Sequence, residues 1–102
     1  MTEQANNGPE IAVVDNPSEH QFEAHVDGRV ALVSYIRNGN TVILTHTEVP
    51  KELQGRGLGN VLARGVLDQA KRAGWNVIVK CPFLTKFIER HPEYRPMPQR
   101  QS

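Results

Sequence analysis

Val49-Pro50-Lys51-Glu52-Leu53-Gln54-Gly55-Arg56-Gly57-Leu58-Gly59 is the stretch on which the reading of this chain turns. Upstream of it apolar residues recur at every second position; downstream they recur with a period of 3.6. A strand must therefore end near Val49 and a helix begin near Leu58, with a glycine-rich turn between them. Such a turn has a physical use. The first N–H groups of a helix have no intrahelical acceptor and carry partial positive charge, so they attract an anion such as a phosphate. Glycines at 55, 57 and 59 remove the Cβ atoms that would hold that anion off.

Working outward, three strands precede the turn. Residues 20–26 place Phe22, Ala24 and Val26 on one face and Gln21, Glu23 and His25 on the other. Asp27-Gly28 then supplies the positive φ angles of a type I′ hairpin turn. Residues 29–36 alternate Val30, Leu32 and Ile36 against Arg29, Ala31 and Tyr35, and Asn38-Gly39 makes the next turn. Residues 41–49 carry Val42, Ile43 and Leu44 before a polar end, Thr45-His46-Thr47-Glu48. This is an antiparallel three-strand meander, preceded by a short apolar run, 11–14, and a turn at Asn16-Pro17-Ser18. Downstream, Leu58, Val61, Leu62, Val66, Ala70 and Ala73 form one helical stripe, and Gly74 ends it. Residues 75–81 read as a strand with Trp75, Val77, Val79 and Cys81 on one face, and 83–90 as a short helix closed by His91-Pro92. Strand, helix and strand make a βαβ unit, which requires a right-handed parallel crossover. The expected class is α/β with a mixed sheet. The expected domain spans 10–96, between polar ends at 1–9 and 97–102 that have the composition of flexible segments.

Composition narrows the function classes. The 102 residues are 38% hydrophobic and 23% charged with a formal net charge of +1, and Lys and Arg are scattered among acidic residues. That pattern is no footprint for nucleic acid. No apolar run is long enough to span a bilayer, and residues 1–9 lack the apolar core of a secretory signal. A single cysteine fits a reducing compartment, and the chain is expected to be cytoplasmic. Histidines 20, 25, 46 and 91 with Cys81 show no finger-type spacing, so no metal site is expected.

The turn is not a nucleotide fingerprint. Its glycines are spaced G-x-G-x-G, the next strand ends in Lys80-Cys81 rather than an acidic residue, and no Gly-Lys-Ser/Thr follows. It does resemble motif A of the GNAT acyltransferase superfamily, Q/R-x-x-G-x-G/A, with Gln54, Gly57 and Gly59 at the defining positions and Val49-Pro50 matching the strand end before it. Cys81-Pro82-Phe83 and Ile88-Glu89-Arg90-His91-Pro92-Glu93-Tyr94 extend the resemblance to short single-domain GNAT-like proteins, over roughly residues 10–96. The resemblance implies an acyl-CoA (acetyl-CoA) N-acyltransferase in which two strands splay apart and the CoA arm enters between them. It implies that the backbone near Val49 pairs with the pantetheine and donates to an oxyanion. It also implies that the N–H groups of Gln54, Gly55, Arg56, Gly57, Leu58, Gly59 and Asn60 hold the pyrophosphate.

Larger GNATs carry a tyrosine acid after a Phe in the second helix; here that pair is Phe87-Ile88, so the tyrosine is missing. Attention moves to Cys81, which reads either as a buried core cysteine or as a catalytic thiol that protonates CoA or accepts the acyl group. Glu48 is the general-base candidate, with His46 on the same face by alternation; the competing reading is a pair of solvated residues at a strand end. Lys86 and Arg90 read as phosphate contacts or as a solvated helix face, and Tyr94 as a packing anchor. Fuller GNAT domains have two helices after their first strand that shape the acceptor pocket. Here Asp27-Gly28 turns straight into the next strand, which leaves the acceptor side open to a protein or peptide amine. The rival function is a CoA or acyl-CoA sensor or partner-binding module with little catalysis, and a third is a structural domain with a coincidental turn.

Overall fold

A computed structural model describes residues 11–94, so the expected flexible ends at 1–9 and 97–102 lie outside the described residues. Five strands form one sheet in sequential order, β1 (Val13–Asn16), β2 (Gln21–Val26), β3 (Arg29–Asn38), β4 (Thr41–Glu48) and β5 (Asn76–Val79). The first four pair antiparallel and β5 joins β4 in parallel. Helix α1 (Leu58–Ala73) makes the crossover, and α2 (Pro82–Arg90) follows β5. Among the described residues, neither helix is long and apolar enough to cross a membrane.

The hairpin turns are local chemistry. Asp27 and Gly28 both take positive φ, 52° and 76°, as a two-residue type I′ connection requires. Helix α1 ends at Gly74, whose left-handed φ of 73° lets its N–H return to the carbonyls of Ala70 and Lys71. One face of the sheet is covered. Phe22, Ala24, Ala31, Val33, Val42, Leu44, Val77 and Val79 pack there against Leu62, Ala63, Val66, Leu67 and Ala70 of α1 and Leu84, Phe87 and Ile88 of α2.

Three sequence expectations change. The run at 11–14 belongs partly to a strand, so the meander has four strands rather than three. This edge strand is held by α1: Gly65 lacks a Cβ where the Val13 side chain lies, and the Gln69 Nε2 donates to the Val13 carbonyl at 2.6 Å. The connection after the first strand is therefore the single turn Pro17–Glu19 and not Asp27-Gly28, which joins β2 to β3. In β3 the core takes Ala31, Val33 and Tyr35, leaving Ile36 exposed and Val30 and Leu32 half-buried on the open face. Tyr35 decides this: its ring packs on Phe22 and its hydroxyl donates to Asp15 Oδ1 at 2.7 Å, which the period-two pattern alone does not reveal. The α1 stripe also shifts, burying Ala63 and Leu67 and leaving Ala73 exposed.

Strand β4 contains the feature that positions the site. Tyr35 pairs with Leu44 and Ser34 with His46, so Thr45 is an extra residue, a β-bulge. Without it, strict alternation would send His46 and Glu48 inward behind Val42 and Leu44. With it, Thr47 faces the core beside Val33, and His46 and Glu48 face outward beside Ser34 and Leu32.

Candidate active site

Strands β4 and β5 part company at the bulge. They pair from Thr41 with Asn76 to Leu44 with Val79, and a last bond runs from the Lys80 N–H to the Leu44 carbonyl at 2.9 Å. Beyond Leu44, β4 continues to Glu48 paired with β3 alone. The gap opens toward Val49 on one side and Cys81 on the other. Among the described residues, the Val49 N–H makes no backbone hydrogen bond, and its carbonyl accepts the Gln54 Nε2 at 3.1 Å. Gln54 thus ties the turn to the strand end.

The turn itself is set by backbone geometry. Gly55 and Gly57 have φ of 86° and 74°, left-handed values that an L-residue reaches at a cost of about 1–2 kcal/mol. Gly57 caps α1 with no side-chain hydrogen bond, and the first helical bond is Val61 N–H to the Gly57 carbonyl at 3.2 Å. The N–H groups of Leu58, Gly59 and Asn60 therefore lie at the helix start without helical acceptors. These three residues border a cleft of about 250 Å³ that is also lined by Val49, Leu53, Gln54, Gly55, Gly57 and Phe83. A Cβ at Gly55 or Gly57 would meet nothing within 4 Å, so these glycines serve the backbone turn and leave the approach clear. Gly59 serves a different purpose from the one its spacing suggests. Its φ is helical, and a Cβ there would lie 2.6 Å from the Phe83 Cζ. The ring of Phe83 occupies that space and forms one wall of the cleft, a role sequence reading missed; the signal was an apolar residue directly after Cys81-Pro82 that the α2 core face does not need. A concave site with unpaired N–H donors beside an apolar wall fits a ligand carrying a pyrophosphate and an aliphatic arm.

Two named cofactor residues stand apart from the cleft. The Arg56 guanidinium reaches away to Asp27 Oδ2 at 2.9 Å, and with Arg29–Glu52 at 3.3 Å it links the β2–β3 turn to the loop before α1. Lys86 is exposed on α2 and does not line the cleft, although it lies one turn along from Phe83.

The catalytic candidates fall on both sides of the sheet. Glu48 and His46 project together on the open face, with His46 Nε2 3.9 Å from Glu48 Oε1 and both side chains well exposed. Cys81 is 4% exposed on the covered side, at the N-cap of α2. Its sulfur lies 3.2 Å from the Thr47 Oγ1, a contact that crosses the β4–β5 gap. The structure thus joins Glu48 with His46 and Cys81 with Thr47, and separates the two pairs by the thickness of β4. Neither described tyrosine can replace the missing acid without breaking a bond. Burial and Asp15 push the Tyr35 hydroxyl up to about 12. Burial and Asp68 raise Tyr94, whose hydroxyl donates to Asp68 Oδ1 at 2.9 Å as a packing anchor. Among the described residues, no three potential metal ligands gather.

This sheet, parting at a bulge beside a glycine-capped helix, is that of an acyltransferase fold, and comparison agrees. Residues 21–97 match the GCN5-related N-acetyl-transferase family, and the chain belongs to that family. Among individual relatives, it is 31% identical to the Bos taurus protein NATD1 over 90 residues, covering 83% of this chain and 78% of that one. It is 29% identical to the Homo sapiens NATD1 over the same length, again covering 83% and 78%. A GCN5-like protein from Staphylococcus aureus, solved by NMR, superposes with a TM-score of 0.64 at 25% identity, covering 83% of this chain and 84% of that one.

Proposed function

We propose that this protein transfers an acyl group, acetyl in the first instance, from acyl-CoA directly to an amine. The observation that carries the reading is the parting of β4 and β5 beside a cleft lined by the first residues of α1, Leu58, Gly59 and Asn60. The N–H groups of residues 58–60 would hold the pyrophosphate, Phe83 and Leu53 would flank the pantetheine arm, and the Val49 N–H would donate to the carbonyl oxygen as it becomes an oxyanion.

Transfer moves two protons. The attacking amine loses one, and Glu48, assisted by His46, is the acceptor on the open face. The departing CoA sulfur gains one, and the Cys81 thiol is the donor on the covered face. The carbon–nitrogen bond forms as the carbon–sulfur bond breaks, and both side chains re-equilibrate with solvent. The burial of Cys81 favours this over an acetyl-cysteine intermediate, because an acyl group parked there would sit on the side away from Glu48. The single turn after β1 leaves the open face free of the helices that form an acceptor pocket, which suits an amine presented by a protein or peptide.

Calorimetry with CoA tests the cleft, and failure to bind defeats the reading. Acetyl-CoA turnover over peptides, polyamines and cell extract tests the transfer. Glu48→Gln and Cys81→Ala should each lower kcat by roughly 100-fold or more while CoA affinity holds. A second reading, an acyl-CoA sensor, is favoured by the replacement of the acidic tyrosine with Ile88; binding without turnover on any amine would support it.

A further inference from the structure

The inward side of β4 carries Val42 and Leu44, and then a hydroxyl where a third apolar residue is expected. Thr47 lies beside Val33 at the edge of the core, where valine would match its shape and its strand preference without bringing a polar atom. Other threonines near the gap satisfy their hydroxyls on backbone carbonyls: Thr45 donates to the Ser34 carbonyl at 3.2 Å and Thr85 to that of Cys81 at 3.1 Å. Thr47 does not. Among the described residues its hydroxyl meets one partner, the Cys81 sulfur at 3.2 Å.

We infer that Thr47 is a positioning residue that holds the Cys81 thiol toward the β4–β5 gap and supports the charge left on it; this rests on the direct-transfer reading above. A hydroxyl is one donor and two acceptors on a free rotor. When Thr47 donates to the sulfur, the S–H proton is free to point into the gap rather than back at β4. As the carbon–sulfur bond of the thioester breaks, that proton passes to the CoA sulfur, and the Cys81 thiolate remains with the Thr47 O–H already directed at it. No proton is gained or lost beyond the one that Cys81 later recovers from solvent. Cys81 is the N-cap of α2, but its sulfur makes no capping hydrogen bond, which leaves Thr47 as its polar partner among the described residues. The bulge at Thr45 is what makes the contact possible, because strict alternation would turn Thr47 to the open face.

The test compares Thr47→Val, Thr47→Ser and Cys81→Ala, alone and as the Thr47→Val/Cys81→Ala double variant, by acetyl-CoA turnover, CoA calorimetry and thermal unfolding. Thr47→Val should lower kcat roughly 10- to 100-fold, the range of a hydrogen bond to a charged group, with CoA affinity and KM within about twofold. Thr47→Ser should restore most of kcat, and Thr47→Val should add little in the Cys81→Ala background. A Thr47→Val enzyme with wild-type kcat beside an inactive Cys81→Ala overturns the inference and leaves the thiol's role standing. An equal loss from Thr47→Val with and without Cys81 also overturns it, since the effect is then structural. An active Cys81→Ala removes the underlying reading and this inference together. Should the valine variant fail to fold, Thr47→Ala against Thr47→Ser makes the same comparison.

Discussion

Replacing Gly59 by alanine separates the stability of the fold from the shape of its cleft. Position 59 lies in the first turn of α1 with a helical φ, so alanine gains up to about 1 kcal/mol of helix propensity. Against that, the new Cβ would lie 2.6 Å from the Phe83 Cζ and 3.2 Å from Cε1 and Cε2. The clash falls on the outer end of a side chain that is 36% exposed, so the ring can swing outward. Full burial of a Phe is worth roughly 1.5–3 kcal/mol, and losing the buried part of this one forfeits about 1–2. The two effects nearly offset, and the unfolding free energy of Gly59→Ala should fall within about 1 kcal/mol of wild type. The cleft does not recover in the same way, because its apolar wall has moved. CoA affinity should drop roughly tenfold, equivalent to about 1.4 kcal/mol. Denaturant melts and calorimetry with CoA measure the two quantities on one preparation. Wild-type affinity in Gly59→Ala would show that the Phe83 wall takes no part in binding. A loss of stability above about 3 kcal/mol would show that the ring is locked and the offset is misjudged.

Two further perturbations separate other contributions. Gly57→Ala meets no atom within 4 Å, yet forces alanine into a φ of 74°; it should destabilise by about 1–2 kcal/mol through the backbone alone, measured by thermal or urea unfolding. Glu23 accepts hydrogen bonds from Gln21, His25 and Asn16, which together hold its carboxyl below the ordinary 4.5. Since the folded value is the lower one, Glu23 contributes stability in full above about pH 4.5 and loses it as pH falls through the folded value. Glu23→Gln should therefore be less stable than wild type at neutral pH, with the difference shrinking in acid; a pH-independent difference refutes the assignment.

Much of the fold is legible because its signals are local. Asp27-Gly28 and Asn38-Gly39 specify their turns without help from the rest of the chain, and the 3.6 period after Gly57 needs only its own helix. What the sequence conceals is non-local. Strand β1 is four residues long and depends on Gly65 and Gln69 of a helix some fifty positions away. The inward face of β3 depends on Tyr35, a residue with one apolar and one polar end, finding Phe22 and Asp15. The bulge at Thr45 leaves no mark in a period-two pattern, so the alternation places His46 and Glu48 together but on the inward side with Val42 and Leu44, the opposite of where they lie. The glycine turn is readable as a helix start with left-handed glycines from local signals alone, whereas Phe83 requires knowing that α2 folds back over Gly59.

β4 shows Glu48 to one side and Thr47 with Cys81 to the other, so on the direct-transfer reading donor and acceptor approach from opposite directions. Neither has to vacate the site before the other arrives. The direct-transfer reading therefore predicts a sequential rate law: double-reciprocal plots at several amine concentrations should intersect instead of running parallel, and CoA should compete with acetyl-CoA but not with the amine. On that reading, one inserted residue in β4 decides whether donor and acceptor compete for the same side of the strand.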